Sequence, residues 1–237
     1  MTLLIASITP AIIFMFVIYQ RDTIREPFIM LLKAFSGGVL SVILTLLVGI
    51  FLFNPIGENL KQYAVLGSFY DAYLSAGLVE ECCKFLFLYW FIWKSKHFDQ
   101  NYDGIVYAVF VSLGFALIEN ILYVFQGGMT VAIARAFTAV PAHGFFAVIM
   151  GYYFSLSKFH ADDDQRKGFL IKALLFPILV HGTYNFCLMY MSHENANPLL
   201  SLLLMLLFTI VVIGFWIVGI RKIKKHIQKD KDLGLIG

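Results

Sequence analysis

Apolar residues arrive in long blocks, each closed by proline, glycine, asparagine or charge. Seven such blocks run roughly over 2–19, 28–53, 69–93, 104–126, 130–157, 168–191 and 198–220. Each is close to the roughly 20 residues that a helix needs to cross a hydrocarbon core about 30 Å thick. The pattern predicts an all-α, polytopic integral-membrane protein of about seven transmembrane helices, forming one domain over 1–237. No basic residue precedes the first block and no small-residue cleavage pattern follows it, so it reads as a retained span.

Composition agrees with this reading. The chain is 60% apolar and 14% charged, where a soluble domain is about 45–50% apolar and about a quarter charged. A cytosolic enzyme, a secreted domain and a disordered protein are excluded on that ground, and nothing in the chain points to nucleic acid. Cys82, Cys83 and Cys187 all fall inside apolar blocks without CxxC spacing. They read as small buried hydrophobes.

Placement of charge sets the expected orientation. Arg21 and Arg25, Lys94 and Lys96, then Lys158, Arg166 and Lys167 lie in alternate connections, and six more basic residues lie between Arg221 and Lys231. That makes thirteen, against Lys61 alone in the other connections. The positive-inside rule then predicts a basic cytoplasmic tail over 221–237 and an N-terminus outside.

Several polar groups stand where a lipid-facing helix would exclude them. Ionisable side chains at a span centre cost at least about 2.5–3.5 kcal/mol each. The third block nevertheless carries Glu80, Glu81 and Lys84, the fourth Glu119 and Asn120, the fifth Arg135 and His143, and the sixth His181 and Asn185. At about 1.5 Å per residue, Glu80, Glu119, His143 and His181 lie roughly 11–20 Å from the outer ends of their spans. Four consecutive spans, over 65–191, thus offer acid or imidazole groups in one layer.

Their spacing carries chemistry. Glu80 and Lys84 share a helical face in the acid-before-base order, while Glu81 points about 100° away and can face the bundle. Two adjacent carboxylates in a dry site suit a general base beside a general acid. His181 and Asn185 lie one turn apart and can donate two hydrogen bonds to an oxygen acquiring charge. Pro141 and Gly144 flank His143, opening the backbone and allowing close helix approach.

Together these motifs resemble the PrsW family of intramembrane proteases, and more distantly the group that includes the CAAX prenyl proteases and bacteriocin-processing enzymes. The match runs through EExxK (Glu80, Glu81, Lys84), FxxxEN (Phe115, Glu119, Asn120), Pro-x-His (Pro141, His143) and HxxxN (His181, Asn185). The wider group has histidine where this chain has Glu119. The resemblance implies an endopeptidase of a bacterial inner membrane, acting among lipid on a single-pass protein such as an anti-sigma factor. Catalytic candidates are Glu80, Glu81, Lys84, Glu119, His143, His181 and Asn185.

Two chemistries fit these residues. In one, Glu80 or Glu81 is the base, Lys84 sets their charge, His181 and Asn185 steady the oxyanion, and His143 and Glu119 position water or supply the proton. In the other, His143, His181 and Glu119 bind one Zn²⁺ and leave a position open. The absence of HExxH favours the metal-free version. A transporter or proton relay uses the same residue types at mid-membrane, but the chain shows no internal repeat.

Overall fold

The computed structural model describes residues 1–235, and every element among them is helical. Helix α1 spans Thr2–Gln20. Helix α2, Phe28–Val48, passes through wider π-type turns at Gly49–Phe53 into α3, Asn54–Leu60. Helix α4, Ala64–Phe69, widens in the same way over Tyr70–Leu78 and continues as α5, Val79–Ile92. Then come α6, Asp103–Phe137, α7, Ala139–Lys158, α8, Asp163–Met191, and α9, Pro198–Asp232.

Five of these stretches are long and apolar enough to cross a membrane: Thr2–Gln20, Phe28–Leu60, Asp103–Lys158, Asp163–Met191 and Pro198–Asp232. The protein is an all-α, polytopic membrane protein. The blocks expected at 104–126 and 130–157 belong to one of the five, Asp103–Lys158, which folds back on itself. Gly128 makes the reversal, with φ 71° and ψ −161°, a conformation essentially reserved for glycine. Beyond it, Arg135 returns to within 2.7 Å of Asn120. Fifteen residues of straight helix would separate them by about 22 Å.

This hairpin is the centre of the bundle. About two-thirds of its most apolar window is buried, against 22% for α1, 11% for Phe28–Leu60 and 17% for α9. Leu88 of α5 packs with Ile105, Val109 and Leu113 of α6 and with Val148 and Phe154 of α7. Lipid is as apolar as these side chains, so close packing and interhelical hydrogen bonds hold such a centre together. Helices α2 and α6 approach backbone to backbone, since a Cβ on Gly38 would strike the Val111 carbonyl.

Local signals in the sequence fix the outer helices. The Asp162 side chain accepts the Gln165 N–H at 2.8 Å and starts α8. Asn197 accepts from Leu199 and Leu200, with Pro198 in the first helical position of α9.

The connections sort to two ends. Tyr102 donates to the Ile18 carbonyl at 3.0 Å, Asp230 accepts the N–H groups of Asn101 and Tyr102, and Lys158 donates to the Trp93 carbonyl at 2.6 Å. The basic connections therefore share one end. At the other end, His193 meets the Lys61 carbonyl at 2.8 Å. The tail expected from 221 continues α9 as helix to Asp232, and its last two positions, 236 and 237, lie outside the described residues.

Candidate active site

Glu80, Glu81 and Lys84 sit on the first turns of α5, directly after the wide turns of Tyr70–Leu78. Such turns shift the phase of a helix and recur at functional sites. Both carboxylates reach the same ammonium, Glu80 Oε2 at 3.1 Å and Glu81 Oε1 at 2.8 Å from Lys84 Nζ. The i, i+4 pairing is as expected, but Lys84 serves both glutamates at once. Its ammonium also lies 4.1 Å from the ring centre of Phe115, a cation–π contact that partly replaces lost water.

Helix α7 delivers His143. Its Nδ1 stands 3.2 Å from Lys84 Nζ, and its Nε2 stands 3.0 Å from Glu119 Oε2. Lysine can only donate, so Nδ1 accepts and Nε2–H donates to Glu119. Ser112 donates to the backbone carbonyl of His143 at 3.0 Å and anchors that turn to α6.

Helix α8 delivers His181 and Asn185. His181 Nδ1 lies 2.9 Å from Glu81 Oε1, and Asn185 Nδ2 lies 3.1 Å from His181 Nε2. The arrangement has Nδ1–H donating to the glutamate and the asparagine amide donating to the imidazole. The hydrogen bonds of this pair thus run inward, through His181 to Glu81, rather than outward as a donor pair. Phe146 stacks on His181 with ring centres 4.7 Å apart, and the two imidazoles are 5.3 Å apart.

Glu119 is held from the returning arm of the hairpin. Arg135 Nη2 meets its Oε2 at 2.6 Å, while Arg135 Nε donates to Asn120 Oδ1 at 2.7 Å. Asn120 in turn donates to the Ser7 carbonyl of α1 at 2.7 Å. Arg135 stands out in the sequence as a costly charge in a span, but without a partner; only the reversal at the Gly127-Gly128 pair supplies one.

All seven expected residues therefore meet in one chain of contacts no longer than 3.2 Å. Glu81 and Lys84 are wholly buried, Glu80, His143 and His181 nearly so, and Glu119 and Asn185 half-buried.

The donor set suits a metal ion. One ligand atom from each of Glu80, Glu81, His143 and His181 lies within 4.8 Å of all the others. Glu81 Oε2 is enclosed yet has no hydrogen-bond partner, an unmet demand for a cation or a proton. Two imidazoles with carboxylates are ligands that Zn²⁺ takes. The structure groups the two histidines with Glu80 and Glu81; Glu119, taken with them in the sequence reading, stands instead at the other ring nitrogen of His143. A carboxylate there orients a ligating histidine and raises its basicity.

Two cavities reach Glu80. One of 400 Å³ is lined by Glu58, Lys61, Asp71 and Ser75, running from the end opposite the basic connections. The other, 330 Å³, lies among Val42, Leu46, Phe115, Glu119, Leu122 and Tyr123. A polar approach and a largely apolar one thus converge on the Glu80 carboxylate.

A buried acid–imidazole group inside a helical membrane bundle, open to a polar cavity, is the arrangement of a membrane-embedded hydrolase. A family model described as "PrsW family intramembrane metalloprotease" matches residues 26–215. A Clostridioides difficile protein named "Protease PrsW" is 37% identical over 237 residues, covering 98% of this chain and 94% of the relative. Proteins of the same name from Bacillus subtilis (37% identical, 93% of each chain covered) and Oceanobacillus iheyensis (34% identical, 95% of this chain and 96% of the relative) also match. No solved structure matches. The chain belongs to the PrsW family of intramembrane metalloproteases and is a peptide hydrolase of the membrane.

Proposed function

We propose that hydrolysis takes place at the group formed by Glu80, Glu81, His143 and His181, on a peptide bond in or beside the membrane segment of a single-pass protein such as an anti-sigma factor. The convergence of these four side chains within 4.8 Å, at the foot of a polar cavity, carries the assignment.

His143, His181 and one of the two glutamates would hold a divalent ion, Zn²⁺ by the chemistry of the donors. The family description as metalloproteases favours this version over the metal-free one. When such an ion is bound, the chemistry supplied is Lewis-acid polarisation of the scissile carbonyl and activation of a water near neutral pH. The other glutamate accepts a proton from the attacking water and passes it to the leaving amine. Lys84 balances the paired carboxylates, whose charges repel in a dry site. Glu119, fixed by Arg135, orients His143, and Asn185 orients His181. Water enters through the polar cavity, while the apolar one beside Phe115 and Tyr123 admits the substrate segment.

The same reading includes seven crossings, counting Ala64–Ile92 and both arms of the hairpin, in a bacterial inner membrane. The thirteen-to-one basic asymmetry supports an N-terminus outside and a cytoplasmic end to α9. On that orientation the polar cavity opens outward, and cleavage falls toward the outer leaflet.

The test uses purified protein in liposomes with a panel of single-pass substrates, before and after a strong chelator. Cleavage lost on chelation and restored by Zn²⁺ is expected. Cleavage that survives chelation removes the metal, and a panel left uncut with Zn²⁺ present removes the substrate class.

A further inference from the structure

A second group of buried carboxylates lies at the end of the bundle where the basic connections gather, and hydrolysis makes no use of it. Asp22 and Glu26, from the connection between α1 and α2, meet Asp103 at the first turn of α6. One oxygen from each lies within 4.8 Å of the other two. Their exposures are 4%, 5% and 0%.

The protein leaves this group short of positive charge. Among the described residues no ion pair reaches any of the three. The neighbouring Arg25 is engaged elsewhere, donating to Gln20 at 2.9 Å and lying over the Tyr19 ring. Asp230 brings no cation either, and its own oxygens are taken by Asn101 and Tyr102.

The partners that are present satisfy only half of the oxygens. Asp103 Oδ2 accepts the N–H groups of Asp99 and Gln100, and Asp22 Oδ2 accepts that of Glu26. Tyr107 donates to Glu26 Oε2. Of the three remaining oxygens, Asp22 Oδ1 and Asp103 Oδ1 are fully enclosed and meet no N–H or hydroxyl donor. A buried carboxylate oxygen without a partner is costly, and here two of them belong to acids that converge.

We propose that Asp22, Glu26 and Asp103 form a second metal site, which takes a hard, oxygen-seeking divalent cation such as Ca²⁺ or Mg²⁺. Two oxygens that bind one Ca²⁺ ion at about 2.4 Å can stand no more than about 4.8 Å apart, a limit that these three meet. An all-carboxylate set selects hard cations, whereas the two histidines of the hydrolytic group suit Zn²⁺. The ion ties the α1–α2 connection to the start of α6, the helix that carries Glu119. Its role is structural, and it stands apart from the peptide chemistry.

Full-length protein in detergent, stripped with a chelator, provides the test. It is titrated with Tb³⁺, whose emission Tyr107 sensitises when the ion sits beside Glu26, and separately with Ca²⁺ and Mg²⁺ while thermal unfolding is followed. Sensitised emission that saturates and is displaced by Ca²⁺ is expected, with Tm raised by about 5–10 °C at roughly a hundredfold excess over Kd. Emission should persist in Glu81→Gln, which disables only the hydrolytic group, and vanish in Asp103→Asn and Glu26→Gln. Should Asp103→Asn fail to fold, Glu26→Gln decides alone. Emission that survives in Glu26→Gln overturns the proposal, as does wild-type protein showing neither emission nor a Tm shift with either cation.

Discussion

Arg135 meets Glu119 at 2.6 Å across the reversal at Gly128, and the same glutamate oxygen takes His143 Nε2 at 3.0 Å. A guanidinium on one arm of a hairpin thereby sets the orientation of an imidazole on the next helix. Arg135 is a positioning residue. Arg135→Gln should lower kcat by about 10–100-fold, the usual cost of losing a group that orients a ligand, with KM little changed. Arg135→Lys should recover only part, because an ammonium cannot bond Glu119 and Asn120 in the same fork. Steady-state kinetics on one peptide substrate check both.

The reversal itself rests on one backbone conformation. Gly128→Ala puts a side chain at φ 71°, ψ −161°, at a cost of about 1–3 kcal/mol. Thermal unfolding should show lower stability, and the residual activity should fall as well, since Arg135 then loses its register with Glu119. Gly168→Ala, inside α8 with open space around it, should leave activity unchanged and raise stability slightly, by about 0.5–1 kcal/mol.

Lys84 touches both glutamates and His143, and its removal leaves two buried carboxylates without their cation. Breaking a buried ion pair from one side costs about 3–5 kcal/mol. Lys84→Met should therefore be strongly destabilised in chelator, and added Zn²⁺ should recover much of the loss. Unfolding in detergent with and without Zn²⁺ measures this directly.

Stability should also depend on pH through the second carboxylate group. Burial pushes the Asp22 carboxyl up to about 6 and that of Glu26 up to about 7. Both lie above the values of the unfolded chain, roughly 4, so the folded state binds more protons across that window. The stability they contribute is present below about pH 4 and is lost as pH rises through 6 to 7. In chelator, Tm should be higher at pH 5 than at pH 8, and Glu26→Gln should flatten the difference.

Much of the site was legible in the sequence because membrane burial makes charge expensive. Glu80, Glu81, His143 and His181 announce themselves as costly residues in one layer, and the structure brings them within reach of one another. Spacing also gave the Glu80–Lys84 pair, since a helix has one period. What it left open depends on tertiary placement. A single Lys84 ammonium serving two glutamates follows from the i, i+3 and i, i+4 spacings on α5, but where that face points depends on the helix phase set by the wide turns at Tyr70–Leu78, which no residue pattern marks. The inward hydrogen bond from Asn185 to His181, and Arg135 on Glu119, depend on side-chain direction and on the reversal at Gly128. Asp22, Glu26 and Asp103 are ordinary connection acids in the sequence, and only the packing of Tyr107 and the start of α6 buries them.

The most direct measurement is the rate of peptide-bond cleavage in liposomes by wild-type protein and by Glu81→Gln, both shown to be folded. Glu81 sits at the centre of the group, bonded to Lys84 at 2.8 Å and to His181 at 2.9 Å. Glutamine keeps the shape and removes the charge that binds an ion or accepts a proton. A rate lower by about 10²–10⁴-fold is expected. A folded Glu81→Gln variant that cleaves at the wild-type rate would contradict the assignment of hydrolysis to this group.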